Sequence, residues 1–208
     1  MEGLIQKVEE LKKSDIKNII DRRISGFREF KKSSDEKIFG ELCFCLLTSN
    51  YSAERAMRIQ DAIGDGFITL PESSLPHKLK ELGHRYPNAR AGYIAEARKH
   101  MHVMGTILSE KNGEELREWL VKNVKGLGYK ESSHFLRNVG FLDYAIIDFH
   151  IIDILLENGL LAERPKSLTK AKYLETEKVL GKISEKTGLS QGELDMYLWY
   201  LETGKILK

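Results

Sequence analysis

Cysteine, proline and glutamine are all scarce in this 208-residue chain, and it has no long hydrophobic run. The only two cysteines, Cys43 and Cys45, stand two residues apart. On a helix they point to different sides and cannot bridge one another, which excludes a disulfide framework. They are also too few for a four-cysteine iron–sulfur or zinc centre, and within the apolar stretch 42–47 they read as buried thiols. The four prolines (Pro71, Pro76, Pro87, Pro165) are scattered, which with balanced charge excludes a fibrous or flexible protein. Runs such as Ala145-Ile146-Ile147 fall far short of a membrane span, and the start Met1-Glu2-Gly3 lacks a signal-peptide pattern, so a cytoplasmic protein is expected. Glutamine occurs only at Gln6, Gln60 and Gln191 beside abundant Lys and Glu, a bias in the direction of heat-adapted proteins. An excess of one charge is missing too: 33 Lys plus Arg against 31 Asp plus Glu leave +2, so the placement of basic residues says more about partners than the total.

What is present is helical periodicity. Leu4, Val8 and Leu11, then Ile16, Ile19, Ile20 and Phe27, then Ile59 and Ile63, then Leu116, Trp119, Leu120 and Val124 recur at helical spacing. Strict apolar–polar alternation does not persist anywhere, and Ile146-Ile147 is too short to found a sheet. The expected fold class is all-α, with helices packed into two lobes of a single domain spanning 1–208. Gly64-Asp65-Gly66 and Lys111-Asn112-Gly113 mark turns, and Asn112 with Glu115 suggests a capping box opening the helix of Trp119. Ser190 with Glu193 is a better box, with Leu189 and Leu194 at staple positions. It opens a final helix near Gln191 that carries Leu194, Tyr197, Leu198 and Leu201 and runs out by Gly204.

The chemistry concentrates in residues 121–140. Two helices flank Gly126-Leu127-Gly128, whose glycines permit a tight turn and leave backbone N–H groups at a helix start, where the dipole favours a phosphate. Gly-x-Gly alone is weak, because any tight corner between helices can use it. Lys130 follows directly, in the first helical turn, where a cation opposes the dipole. Such a lysine becomes a better nucleophile, able to form a Schiff base, although a solvated lysine is the commoner account. Asp148, in Ala145-Ile146-Ile147-Asp148-Phe149-His150, is either a helix N-cap or a chemical carboxylate, and the two roles are compatible.

The hairpin with Lys130, and the later apolar-Asp-x-His, resembles the helix-hairpin-helix DNA glycosylases, specifically the bifunctional glycosylase/AP lyases. Leu46-Leu47-Thr48-Ser49-Asn50, Leu82-Gly83-His84-Arg85, Gly126-Leu127-Gly128-Tyr129-Lys130 and the end from Trp199 to Lys208 make the chain similar to the compact archaeal-type 8-oxoguanine DNA glycosylases. The resemblance implies two helical lobes with a DNA-binding cleft between them, a helix-hairpin-helix motif at about 114–139, and a damaged nucleotide flipped into a pocket. It implies Lys130 as the nucleophile at the sugar C1′ and Asp148 as the carboxylate that activates it and stabilises charge on the sugar.

It further implies that Gly126 and Gly128 contact a phosphate, with a monovalent cation on the hairpin carbonyls and no metal or redox cofactor. His150 becomes a second phosphate contact, or an ordinary helix residue. Asn50 becomes the residue that enters the gap left by the flipped base, with helix capping as its competing account. Trp199 and Lys208 are implied for the base pocket, with core packing as the competing account of Trp199; Arg85 is implied for DNA contact, and Tyr86 for a second stacking face or wedge, with a structural role as its alternative. The implied partner is duplex DNA carrying 8-oxoguanine or an abasic site, met by a monomer associated with the nucleoid.

The iron–sulfur cysteine cluster of other superfamily members is missing, which disfavours an endonuclease III-like enzyme. His100-x-His102 reads as surface histidines, with no acidic or thiol partner nearby to make a metal site. Two alternatives stay open: a non-catalytic DNA-binding module, which has no use for Lys130 with Asp148, and a glycosylase of this fold for another lesion.

Overall fold

Every regular element in the computed structural model, which describes residues 1–208, is helical, as the periodicity predicts. In chain order the α-helices are α1 (Glu2–Leu11), α2 (Asp15–Phe30), α3 (Asp35–Thr48), α4 (Ala53–Ile63), α5 (Gly66–Thr69), α6 (Leu75–Glu81) and α7 (Pro87–Ala97). A 3₁₀ segment, Arg98–Val103, leads to α8 (Met104–Glu110), α9 (Gly113–Asn123), α10 (Tyr129–Asn138), α11 (Phe149–Glu157), α12 (Lys170–Thr187) and α13 (Gln191–Thr203). No helix is long and apolar enough to cross a membrane. The chain divides into two compact units, one of Phe30–Phe135 and one of Met1–Glu29 with Leu136–Lys208.

The unit of Phe30–Phe135 is built around α3. From Ile38 to Thr48 every residue except Gly40 is buried, because α4, α5, α7, α8 and the 3₁₀ segment all pack against this helix. A helix buried on all sides can only be central, and here Glu41 and Thr48 are its buried polar members. Cys43 and Cys45 are free thiols in this core, and burial pushes the Cys43 thiol well above its ordinary pKa, so it is inert. Against the core, α9 buries Leu116, Arg117 and Leu120.

In the other unit, α1, α12 and α13 pack together, and α11 lies against α13. Leu4, Val8, Ile20, Ile24, Ile151, Leu155, Ile183 and Leu198 form its core. The box at the start of α13 is made in both directions: Ser190 Oγ accepts the Glu193 N–H, and the Glu193 carboxylate accepts the Ser190 N–H. Gly204 ends that helix in the left-handed conformation. Arg137 is ion-paired with Asp195 and lies 5.2 Å over the Phe27 ring.

Three expectations are corrected. Ile19 is 42% exposed, so the apolar stripe of α2 runs through Ile20, Ile24 and Phe27 instead. Asn112 precedes α9 but makes no side-chain cap. Gly113 has φ +50°, which displaces the first-turn donors, and Glu115 pairs with Lys111 at 2.6 Å. His100 is a half-buried brace and not a surface histidine: Nε2 bonds Asn123 O at 3.1 Å, and the ring meets Trp119 edge-on.

Candidate functional site

Between α9 and α10 the chain turns in five residues. Gly126 sits at φ +94°, and a Cβ there would fall 2.4 Å from the Tyr93 ring on α7, so both the backbone and the neighbour require glycine. The Leu127 N–H bonds Val124 O at 3.2 Å to close the turn. The Gly128 N–H, expected to be left for a phosphate, donates to the Glu131 carboxylate at 3.3 Å. A Cβ on Gly128 would lie 3.2 Å from that same oxygen, so a side chain there would push the carboxylate back by a few tenths of an ångström.

Lys130 follows one residue into α10, with Nζ 3.9 Å from the second Glu131 oxygen. Glu131 went unnoticed in the sequence, although a glutamate three residues after a helix N-cap is half of a capping box and was legible as one. The corner is braced from behind by Arg117. Its guanidinium is fully buried, donates to Ser133 Oγ at 3.2 Å, pairs with Glu114 and lies 5.2 Å over the Tyr129 ring, whose hydroxyl donates to Glu118. No periodicity marks an arginine in that role.

A second cluster in the same unit joins the end of α3 to the loop before α7. Asn50 is exposed and is the one non-glycine residue at positive φ, +54°. Ser52 and not Asn50 caps α4, accepting the Arg55 N–H, so the capping account of Asn50 falls away. His84 holds the two loops together. It is 4% exposed, bonds Leu47 O through Nε2 at 3.1 Å, accepts the Tyr86 N–H on Nδ1 at 3.0 Å and stacks on Tyr51 at 4.2 Å. Tyr51 donates to Gly83 O at 2.9 Å, and the buried Arg90 donates to Ser49 O at 2.6 Å. Arg85 and Tyr86 are thereby presented at the surface, the guanidinium 5.1 Å from the Tyr86 ring. Three of the candidates, Asn50, Arg85 and Tyr86, thus stand on two loops stitched by residues to which sequence reasoning gave no role.

Burial is the main cause that lowers the His84 pKa from 6.5. Arg90 adds to it, and the bond to Leu47 O opposes it. The folded protein therefore keeps His84 neutral where the unfolded chain takes a proton. Its contribution to stability is complete above the unfolded value and is lost as the pH falls from about 6.5 through the lower folded value. Lowering the pH from 7 to 5 is expected to reduce Tm more in the wild type than in His84→Gln. Equal pH dependence in the two proteins would remove His84 from this role.

In the other unit, Asp148 caps α11. Its Oδ1 accepts the N–H groups of His150 at 2.9 Å and Ile151 at 3.1 Å, and Oδ2 lies outside the cap. The extended segment before it is pinned by α12. Tyr173 donates to Ala145 O at 2.7 Å and accepts the Ile147 N–H at 3.1 Å, while Glu177 accepts the Ala145 N–H at 3.0 Å. The position of Asp148 is thus fixed from both sides.

His150, on the first turn of α11, meets Trp199 of α13 edge-on at 5.3 Å, and its Nδ1 lies 3.6 Å from the Glu202 carboxylate. The phosphate candidate and the base-pocket candidate are therefore in ring contact, with Glu202 as a neighbour that the sequence did not suggest. The Trp199 Nε1 is buried without a hydrogen-bond partner. Lys208 is half-buried at the chain end. No three His, Cys, Asp or Glu side chains gather as a metal site.

Comparison with known proteins finds likeness along the whole chain. A family model for 8-oxoguanine DNA glycosylase matches residues 20–189. An 8-oxoguanine DNA glycosylase/AP lyase of Korarchaeum cryptofilum is 55% identical over 210 residues, covering 100% of this chain and 99% of that protein. The crystal structure of the Methanocaldococcus jannaschii 8-oxoguanine glycosylase/lyase with a 15mer DNA containing 8-oxoguanine superposes with a TM-score of 0.96 at 54% identity, covering 99% of each chain. That of the Thermotoga maritima 8-oxoguanine DNA glycosylase gives 0.94 at 42% identity, covering 100% of this chain and 99% of the other. On this evidence the chain belongs to the 8-oxoguanine DNA glycosylase family.

Proposed function

We propose that the protein excises 8-oxoguanine from duplex DNA and then cuts the strand at the abasic site it has made, working as a monomer on cytoplasmic, nucleoid DNA. The observation that carries this reading is the end-to-end likeness, at 54% identity, to a glycosylase/lyase crystallised with DNA containing 8-oxoguanine. Lys130 is the nucleophile. Its Nζ bonds to the sugar C1′ as the bond from C1′ to the base breaks, and the base leaves with the electron pair and takes up a proton. Ring opening gives a Schiff base between Nζ and C1′. Loss of a proton from C2′ then expels the 3′ phosphate by β-elimination.

Asp148 is the carboxylate of the reaction. It takes the proton that the lysine must shed and stabilises positive charge on the sugar, using the oxygen that the cap leaves over. Extruding the base costs a few kcal/mol, which contacts to backbone and base must offset. Trp199 stacks on the extruded base, with the buried Nε1 as a donor still lacking an acceptor, and Lys208 closes that pocket. Asn50 enters the vacated gap, Tyr86 is a second stacking face or wedge, and Arg85 and His150 reach the backbone. Gly126 and Gly128 bring the hairpin backbone up to a phosphate, with the Gly128 N–H kept by Glu131. These steps need no metal or redox cofactor; a monovalent cation, where bound, would be held by the backbone carbonyls of the hairpin and would supply positive charge toward a DNA phosphate.

The test is borohydride reduction on duplexes carrying 8-oxoguanine, guanine or an abasic site. The expected result is a covalent adduct with the first and third and none with guanine. An adduct with the abasic site alone would keep the lyase and overturn the lesion. Binding without any adduct and without base release would favour the non-catalytic module.

A further inference from the structure

We infer that Glu131 is a positioning residue for Lys130, holding the reactive amine against the hairpin backbone; the inference rests on Lys130 being the nucleophile. Consecutive residues of a helix project about 100° apart and do not ordinarily meet. Here they do. The Lys130 ammonium comes within 3.9 Å of Glu131 Oε1, while Glu131 Oε2 accepts the Gly128 N–H at 3.3 Å. One carboxylate thus ties the amine to the backbone of the turn. The Glu131 side chain is only 14% exposed and that of Lys130 24%, so water screens the pair less than it would a surface pair.

The other charged groups around this corner already have partners. On α9, Arg117 is paired with Glu114, and Glu118 accepts the Tyr129 hydroxyl. On the α7 side, Glu96 lies 3.6 Å from Lys125. Glu131 is therefore the carboxylate that this corner offers to Lys130. The competing account is that Glu131 is only the N3 half of a capping box, satisfying one helix donor. The two accounts separate on charge. A cap needs an acceptor oxygen, which glutamine also has; holding an ammonium needs the anion.

The experiment is single-turnover borohydride trapping on 8-oxoguanine and abasic-site duplexes over a range of enzyme concentrations, with full-length wild type, Glu131→Gln, Glu131→Ala and Lys130→Gln. Glu131→Gln is expected to keep the wild-type Tm and half-saturating concentration while its saturating rate falls about ten- to a hundredfold, the scale on which a displaced reacting group is felt. Glu131→Ala is expected to lose the same rate and to melt lower, because the cap is gone as well. A wild-type saturating rate in Glu131→Gln would overturn the inference in favour of a simple cap. A faster rate would overturn it too, as would a defect confined to the half-saturating concentration, which would assign Glu131 to DNA binding. Undiminished trapping by Lys130→Gln would instead refute the nucleophile, a separate failure.

Discussion

Lys130→Gln is expected to bind an 8-oxoguanine duplex about as well as the wild type while forming no borohydride-trapped adduct and cutting no strand. Glutamine keeps most of the side-chain length. Removing a cation from the first turn of α10 costs no favourable dipole interaction, because a positive charge is unfavourable there. Folding should therefore change little, only the 3.9 Å pair with Glu131 being lost, and Tm measured beside activity checks this. What disappears is the amine. Without it no bond from nitrogen to C1′ can form and no imine exists to be reduced, so adduct formation should fall by at least about a thousandfold, the scale seen when a covalent nucleophile is removed. The decisive readout is the covalent band at saturating protein, because strand breakage alone can arise from alkaline work-up. If the band persists, another amine attacks, and the hairpin geometry of Lys130 has been misread.

The contrast between Lys130 and Glu131 shows what a sequence of this kind makes legible. Helical periodicity revealed the all-α class, because a buried stripe every three or four residues is a physical requirement of each helix. Helix ends were legible where a side chain commits to backbone donors, as at Ser190 and Asp148, or where a glycine turns left-handed, as at Gly204. Asn112 misled because the same letters precede a glycine at positive φ, which draws the first turn out of reach. The Gly-x-Gly hairpin was read, but the occupation of its Gly128 N–H was overlooked, although Glu131 at the N3 position carried a local signature of it. Arg117 and His84 were illegible for a related reason: each bonds groups 16 or 37 residues away, and nothing local distinguishes a bracing arginine or histidine from a solvated one. Nor does any change in composition mark the path that brings residues 1–29 into one unit with 136–208. Candidate site residues with a local signature were therefore found, and the side chains that hold them in place, Glu131 apart, carried none.

Asp148→Asn is the experiment in which structure and chemistry part most cleanly. Asparagine caps a helix about as well as aspartate, and its side-chain oxygen can accept the same His150 and Ile151 N–H groups. The pinning of residues 145–147 by Tyr173 and Glu177 does not involve the side chain at all. The charge on the cap also interacts with the helix dipole, so the expected loss of stability is about 0.3–1 kcal/mol, which a denaturation curve resolves. Turnover behaves differently, because an amide cannot take a proton from Lys130 or balance positive charge on the sugar. Excision of 8-oxoguanine at saturating protein is expected to fall by about a hundred- to ten-thousandfold, the range of a positioned acid–base group. Binding to the lesion duplex should remain, since repulsion between a carboxylate and DNA is removed, not added. A variant that folds, binds and turns over normally would leave Asp148 a helix cap and nothing more. One that unfolds would mean that the charge itself, beyond its hydrogen bonds, holds α11 in place. Loss of excision with the fold intact separates the two roles at this position: Oδ1 serves the helix, and Oδ2 is left for the reaction.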